Sequence, residues 1–208
     1  PIYKAWNFDA SAEWYFANNA VLSGGVFYKS IEDFIVDANF QDITVNGIFA
    51  DSATMPVNGD TATVFGLEFN LQSDLSFVDE ALEGVLVGFN YTYTDAKDKS
   101  NNGPMVGASR HTYNFVGYYE DDRFNARIAY NFRSHFFSGL DRSTAFNQAD
   151  TTSVAASFGV KISDNLSLSF DAQNLNNPKL KYYALNEDQP RSIYQNGRQY
   201  YLTLRAKM

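Results

Sequence analysis

Apolar and polar residues alternate along most of this chain, and a period of two restricts the chain to extended structure. Between Ala5 and Phe16 every even position is Trp, Phe or Ala, whereas the odd positions are mostly polar. Such alternation gives an extended strand one apolar face and one polar face. A helix over the same residues would bring Asp9 and Glu13 into its apolar stripe. The sequence therefore predicts a β-strand in this segment.

The same alternation recurs along the whole chain and predicts nine strands of about ten residues or more. They cover approximately residues 5–16, 22–29, 61–74, 84–97, 111–119, 124–133, 150–163, 166–175 and 200–208. Short turns near 18–19, 79–83, 121–122 and 164–165 alternate with longer polar loops near 37–60, 98–109, 137–149 and 176–197. The fold class that follows is all-β, an up-and-down antiparallel sheet with short turns at one end and long loops at the other.

Strand length and the polar faces favour a transmembrane β-barrel over a soluble β-sandwich or lipocalin-like barrel. About 9–11 residues cross a bilayer as a tilted strand, whereas soluble strands average about five or six. The polar faces carry Arg127, Lys161 and Asp171 in mid-strand, as a water-filled lumen allows. Trp and Tyr cluster near strand ends, where amphipathic rings suit the membrane interface. No apolar run approaches the ~18 residues that a membrane-spanning helix needs.

Charge and motif content exclude several functional classes. The chain has 24 acidic and 16 basic residues, a net charge of −8, and we predict no nucleic-acid partner. It has no cysteine, which excludes a disulfide scaffold and thiolate metal ligands. No catalytic or nucleotide-binding motif occurs, so we predict neither an enzyme nor a cofactor. His111 and His135 are too few for a zinc site, and the calcium-like segment from Asp98 to Gly103 has Ser109 where its twelfth position needs an acid.

An odd number of strands predicts that residues 1–208 are one part of a larger barrel. Single-chain bacterial outer-membrane barrels have even strand numbers, and an open sheet would leave unpaired edges in lipid. If the last strand runs toward the periplasm, the first one here does so too. We therefore expect a C-terminal barrel portion that lacks the N-terminal strands.

Five stretches follow one another along the chain: GVFYKSIEDFI at 25–35, TVFGLEF at 63–69, the 83–96 segment ending NYTYTDA, NLNN at 174–177, and GRQYYLTLR at 197–205. In this order they resemble the C-terminal barrel of TonB-dependent outer-membrane receptors. The resemblance implies about 22 strands around a plug domain, of which this chain would supply about strands 14–22. It also implies the outer membrane of a Gram-negative bacterium. The chain ends in Met208, where the family's assembly signal usually has an aromatic residue.

The same resemblance implies a receptor that binds a scarce solute, oligosaccharide or siderophore-like, and imports it with energy from TonB. The segment before Gly197 that contains Gln189, Arg191 and Tyr194 resembles receptors for carbohydrate uptake. The implied partners are outer-membrane lipid, the protein's own plug domain and missing barrel strands, TonB with ExbB and ExbD, and the barrel assembly machinery. A passive porin-type channel and a soluble carbohydrate-binding β domain remain alternatives.

Solute would be met at the end with long loops, and the predicted contacts are inward residues near that end and polar groups within the loops. They are Arg110, Arg133, His135, Asp141, Arg142, Gln173, Tyr182, Tyr183 and Arg191. Planar polar side chains and tyrosine rings would suit a sugar. A siderophore or other anion would depend on the arginines, which bind carboxylates in a bidentate manner.

Overall fold

The computed structural model describes residues 2–100, 102–141 and 144–207, without the side chain of Asp141. Arg142 and Met208, which the sequence analysis singles out, lie outside the described residues. The strands in chain order are β1 (Lys4–Ala17), β2 (Ala20–Glu32), β3 (Ile35–Val45), β4 (Ile48–Asn58), β5 (Thr61–Asp74), β6 (Val85–Asp98), β7 (Gly103–Pro104), β8 (His111–Glu120), β9 (Phe124–Arg133), β10 (Phe136–Asp141), β11 (Thr144–Gln148), β12 (Thr151–Ser163), β13 (Leu166–Gln173), β14 (Leu180–Tyr183), β15 (Ser192–Tyr194) and β16 (Gln199–Ala206).

Nine of these strands form one antiparallel sheet in the order β1-β2-β5-β6-β8-β9-β12-β13-β16, and the two-residue strand β7 pairs with β6 beside this path. They are the nine strands that the sequence predicts, with ends that agree within a few residues. Residues 18–19, 75–84, 121–123 and 164–165 connect them at one end, which we call the short-turn end. The other end, the long-connection end, carries the remaining connections. The all-β, up-and-down architecture is thus confirmed.

The long connections contain β structure where the sequence predicts loops. β3 and β4 form a hairpin over most of 37–60, and β10, β11, β14 and β15 form a four-stranded sheet from the 137–149 and 176–197 connections. The hairpin turns at Asn46 and Gly47, whose φ angles are 51° and 80°. An Asn-Gly pair favours the two-residue hairpin turn with positive φ at both positions, so the hairpin has a local cause.

The register of the main sheet separates its residues into an apolar face and a mostly polar face. One row of paired residues on the apolar face is Trp14, Leu22, Leu71, Phe89, Phe115, Tyr130 and Val154. The adjacent row on the polar face is Glu13, Ser23, Asn70, Asn90, Asn114, Asn131 and Ser153. Because paired residues point to the same face, each row continues across seven strands.

Among the described residues, the apolar face covers no hydrophobic core. Ile128 and Phe158, in the middle of their strands, remain 50% and 47% exposed. The fully buried hydrophobic residues among those described are all alanines. A water-soluble β domain would pack its large apolar side chains against one another, whereas a membrane barrel turns them toward lipid. The structure therefore favours the membrane interpretation over the soluble one.

No helix in the described parts of the chain is both long and apolar enough to cross a membrane.

Candidate functional site

The polar face bears a cavity of about 390 Å³ toward the long-connection end, which we call the first cavity. Its wall comes from β8, β9 and β12, and its cover from the segment between residues 174 and 197. The lining residues are Thr112, Asn114, Asn131, Phe132, Arg133, Thr151, Thr152, Ser153, Asn174, Pro178, Leu180, Tyr194, Asn196 and Gly197. Amide and hydroxyl side chains dominate this lining.

Two neighbouring rows of the sheet supply the wall. Asn114, Asn131 and Ser153 occupy one row, and Nδ2 of Asn131 donates a hydrogen bond to Oγ of Ser153 over 3.2 Å. Thr112 and Thr151 flank Arg133 in the other row. These residues alternate with apolar-face residues along each strand, so the pleat alone turns them toward the cavity.

The cover is anchored to β12 by the side chain of Asn176. Its Oδ1 accepts from the backbone N–H of Val154 at 3.0 Å, and its Nδ2 donates to the carbonyl and the hydroxyl of Thr152 at 3.1 and 2.8 Å. Nε of Arg198 donates to the carbonyl of Leu175 over 2.8 Å. These bonds fix the start of the cover beside the end of β12, and Tyr194 brings an aromatic ring to the cavity.

Arg133 lines the first cavity, but its guanidinium is engaged by the protein. Its Nε donates to Oγ of Ser109 at 2.7 Å and its Nη2 to the carbonyl of Gly107 at 2.5 Å. The guanidinium carbon also lies 3.9 Å from the ring centroid of Phe136. Arg133 thus fixes the connection that precedes β8 to the ends of β9 and β10.

A second cavity of about 580 Å³ lies beside the ends of β6, β8 and β10, and it contains more charge. Nζ of Lys97 pairs with Oδ2 of Asp95 at 2.9 Å. The backbone N–H of His135 donates to Oδ1 of Asp150 at 2.5 Å, and its Nδ1 lies 3.4 Å from the same oxygen. Arg110, which is exposed, also lines this cavity.

The predicted contacts therefore fall into separate places. Arg110 and His135 share the second cavity, whereas Arg133 lines the first. Gln173 pairs with Gln199 at the end of β13 and lines neither cavity. Asp141 ends β10, where it pairs with Thr144.

Tyr182 and Tyr183 lie in β14 of the four-stranded sheet, and Arg191 immediately precedes β15. The Tyr182 ring stacks on Phe146 with 5.6 Å between centroids, and its carbonyl accepts from the backbone N–H of Arg191 at 2.7 Å. Burial, followed by the nearby carboxylates of Glu187 and Asp150, raises the pKa of the Tyr183 hydroxyl. This tyrosine therefore stays a neutral donor at physiological pH.

The residues that the sequence analysis missed are the amides and hydroxyls of the first cavity, such as Asn114, Asn131 and Asn196. The signal was present, because asparagine recurs at inward positions of consecutive strands. This recurrence became informative only once the pairing register of the strands was known, because the register places those positions side by side.

Comparison with known proteins decides the family. The family model described as TonB-dependent receptor-like, β-barrel, matches residues 3–175. The chain belongs to this family. TonB-dependent receptors are transporters, so the predictions of the family and of a non-enzymatic protein are both confirmed. No functionally curated protein sequence matches the chain.

Solved TonB-dependent receptor structures share the fold over nearly the whole chain. The ferric enterobactin receptor PfeA from Pseudomonas aeruginosa is 18% identical with a TM-score of 0.72, over 98% of this chain and 31% of that one. The siderophore receptor PirA from Acinetobacter baumannii is 17% identical with a TM-score of 0.70, over 98% and 32%. The copper transporter OprC is 14% identical with a TM-score of 0.70, over 98% and 31%. The chain therefore spans about a third of the length of these structures.

Proposed function

We propose that this chain is part of an outer-membrane receptor that binds a scarce small solute and imports it with energy supplied by TonB. One observation supports this most: the sheet of this TonB-dependent receptor family member exposes an apolar face on one side and carries a polar cavity near its long-connection end on the other side. Such a receptor needs lipid on one side and a place to hold solute on the other.

The two ends of the sheet support an orientation in the outer membrane of a Gram-negative bacterium. Outer-membrane barrels have short periplasmic turns and longer extracellular loops. The short-turn end then faces the periplasm, and both cavities lie toward the cell exterior. Solute arriving from outside would meet the four-stranded sheet and the hairpin first.

The remaining barrel strands and a plug domain are proposed to come from other parts of the protein. β1 and β16 end the sheet, and within the described residues each pairs along one edge with one neighbour. A strand edge in hydrocarbon leaves backbone groups without partners, which makes further strands necessary. TonB, with ExbB and ExbD, would act through the part of the protein that contains the plug domain. The barrel assembly machinery would insert the complete receptor into the outer membrane.

The predicted contacts divide between the two solute classes. An anionic, siderophore-like solute would use Arg110 in the second cavity, with Arg142 and Arg191 from the connections. An oligosaccharide would use Gln173, Tyr182 and Tyr183, with Asp141 as an acceptor. PfeA and PirA are receptors for ferric enterobactin and for siderophores, so the siderophore class remains a candidate here.

Uptake with and without TonB tests this proposal. Cells carrying the full-length protein, cells lacking it, and matched cells without TonB would be supplied with labelled solutes of both classes. We expect saturable uptake of one solute only where receptor and TonB are both present. Uptake that persists without TonB would show a passive porin-type channel instead.

A further inference from the structure

Four asparagines lie side by side on the polar face, on four neighbouring strands. Asn70 on β5 pairs with Asn90 on β6, which pairs with Asn114 on β8, which pairs with Asn131 on β9. Nδ2 of Asn90 donates a hydrogen bond to Oδ1 of Asn70. We call these residues the asparagine row. Within the sheet, Ser153 continues the row beyond Asn131.

The spacing and chemistry of the asparagine row suit a ligand with repeated hydroxyl groups. Neighbouring strands lie about 4.8 Å apart, so the row from Asn90 to Ser153 spans about 14 Å. Each amide offers one acceptor oxygen and two N–H donors. Sugar hydroxyls also donate and accept, and a pyranose ring is about as long as the strand spacing. An extended oligosaccharide could therefore place one ring over each of the three intervals between these strands.

The asparagine row leads into the first cavity, whose lining is almost entirely uncharged. Asn114 and Asn131 belong both to the asparagine row and to the lining of the cavity. Thr112 and Thr151, in the neighbouring row of the same face, add hydroxyl groups to this lining. The one charged residue among the lining residues is Arg133. Its guanidinium already contacts protein groups, namely the Ser109 hydroxyl, the Gly107 carbonyl and the Phe136 ring.

The opposite wall of the cavity adds one more amide and a ring. Asn196 and Tyr194 come from the cover, and Tyr194 is 58% exposed, so a ring face is accessible beside the amides. Pockets of this kind combine an apolar surface with a few oriented polar groups that select the ligand. An anionic chelate would find no available cation here to compensate for the loss of its hydration.

We propose that the asparagine row and the first cavity bind a neutral oligosaccharide of about three rings, extended across β6, β8, β9 and β12. The proposal rests on the proposed receptor function and names its substrate class. Under this proposal the first cavity takes the neutral ligand. An anionic ligand would instead bind Arg110 in the second cavity. Binding would come from paired amide–hydroxyl hydrogen bonds along the strand wall, with one ring against Tyr194.

Glycan binding by the full-length protein tests this inference. Purified receptor in detergent would be applied to an array of neutral and acidic oligosaccharides of increasing length, with ferric enterobactin as the anionic probe in solution. We expect binding to a neutral oligosaccharide of at least three rings. The double variant Asn114→Ala with Asn131→Ala should weaken it at least tenfold, because it removes two hydrogen-bonding amides from the wall of the first cavity.

Asn125→Ala is the matched control, since Asn125 lies on the same face toward the short-turn end. It should leave glycan affinity unchanged, and retained heat-modifiable migration would show that every variant is folded. Binding of ferric enterobactin or acidic glycans alone, binding of no probe, or full affinity in the double variant would overturn the inference. Uptake that is independent of TonB would overturn the proposed function while leaving the glycan result intact.

Discussion

At the scale of single residues, one carboxylate organises the turn between β8 and β9. Oδ1 of Asp121 accepts from the backbone N–H groups of Arg123 and Phe124, each at 2.7 Å, and Oδ2 accepts from the Tyr119 hydroxyl at 2.6 Å. The Tyr119 hydroxyl, followed by the two backbone N–H groups, lowers the pKa of the Asp121 carboxyl. Hydrogen bonds to the ionised form favour ionisation, which links this turn to pH.

Asp121→Asn should therefore destabilise the protein at neutral pH and matter less in acid. Because the folded pKa of Asp121 lies below its unfolded value, the ionised carboxylate stabilises the fold at neutral pH, and this contribution is lost as pH falls through the folded pKa. Urea unfolding of the full-length protein in lipid vesicles measures the difference, at pH 7 and at a pH well below the ordinary aspartate pKa of about 3.9. Asp122→Asn is the control with the same change of charge. An equal loss for Asp121→Asn at both pH values would contradict a stabilising role for the ionised carboxylate.

Arg133 shows what residue-level inference from sequence can and cannot supply. Its inward position follows from alternation along β9, and the structure agrees. Its partners do not follow, because Ser109 and Gly107 reach it through a connection whose path the sequence leaves open. The same holds for Asn114 and Asn131, whose joint role depends on the pairing of β8 with β9.

At the scale of elements, the β3–β4 hairpin has two distinct faces. The pairs Val36–Val57, Ala38–Met55 and Phe40–Ala53 lie on one face, and Asn39–Thr54 lies between them on the other. The sequence predicts a long polar loop near 37–60 instead. Nine strands were predictable because long alternation specifies them locally, whereas the four-stranded sheet depends on pairing between strands of only three to six residues. The hairpin had a local signal in the Asn46–Gly47 pair, which the loop prediction did not use.

Gly47→Ala should loosen this hairpin without disturbing the main sheet. A methyl group at Gly47 would meet nothing within 4 Å, so the cost is only that of the left-handed backbone at φ 80°. That cost is about 1–2 kcal/mol for a residue with a side chain. Hydrogen exchange should become faster across Ile35–Val45 and remain unchanged in β5 and β6. Ser52→Ala, on a hairpin strand, is the control, and equal exchange in both variants would argue against a turn-determined hairpin.

At the scale of the whole molecule, the two faces of the sheet require two different surroundings. Large apolar side chains stay exposed on one face, and amides, hydroxyls and charged groups occupy the other. Lipid against the first face and a water-filled lumen against the second meet these two requirements. Family membership, the open edges at β1 and β16, and the cavities near one end all agree with that assignment.

Folding of arginine variants into lipid vesicles tests this assignment most directly. Ile128→Arg and Phe158→Arg place a cation on the apolar face in mid-strand, and each should cost about 2–4 kcal/mol at the bilayer midplane. Ser157→Arg places the same cation on the polar face, between Asp171 and Arg127 of the two paired strands, and should be far milder because this face meets water. The measurement is the free energy of unfolding of the full-length protein in vesicles. A large loss for Ile128→Arg and Phe158→Arg with little loss for Ser157→Arg is the predicted result, and equal losses on both faces would contradict a lipid-facing apolar surface.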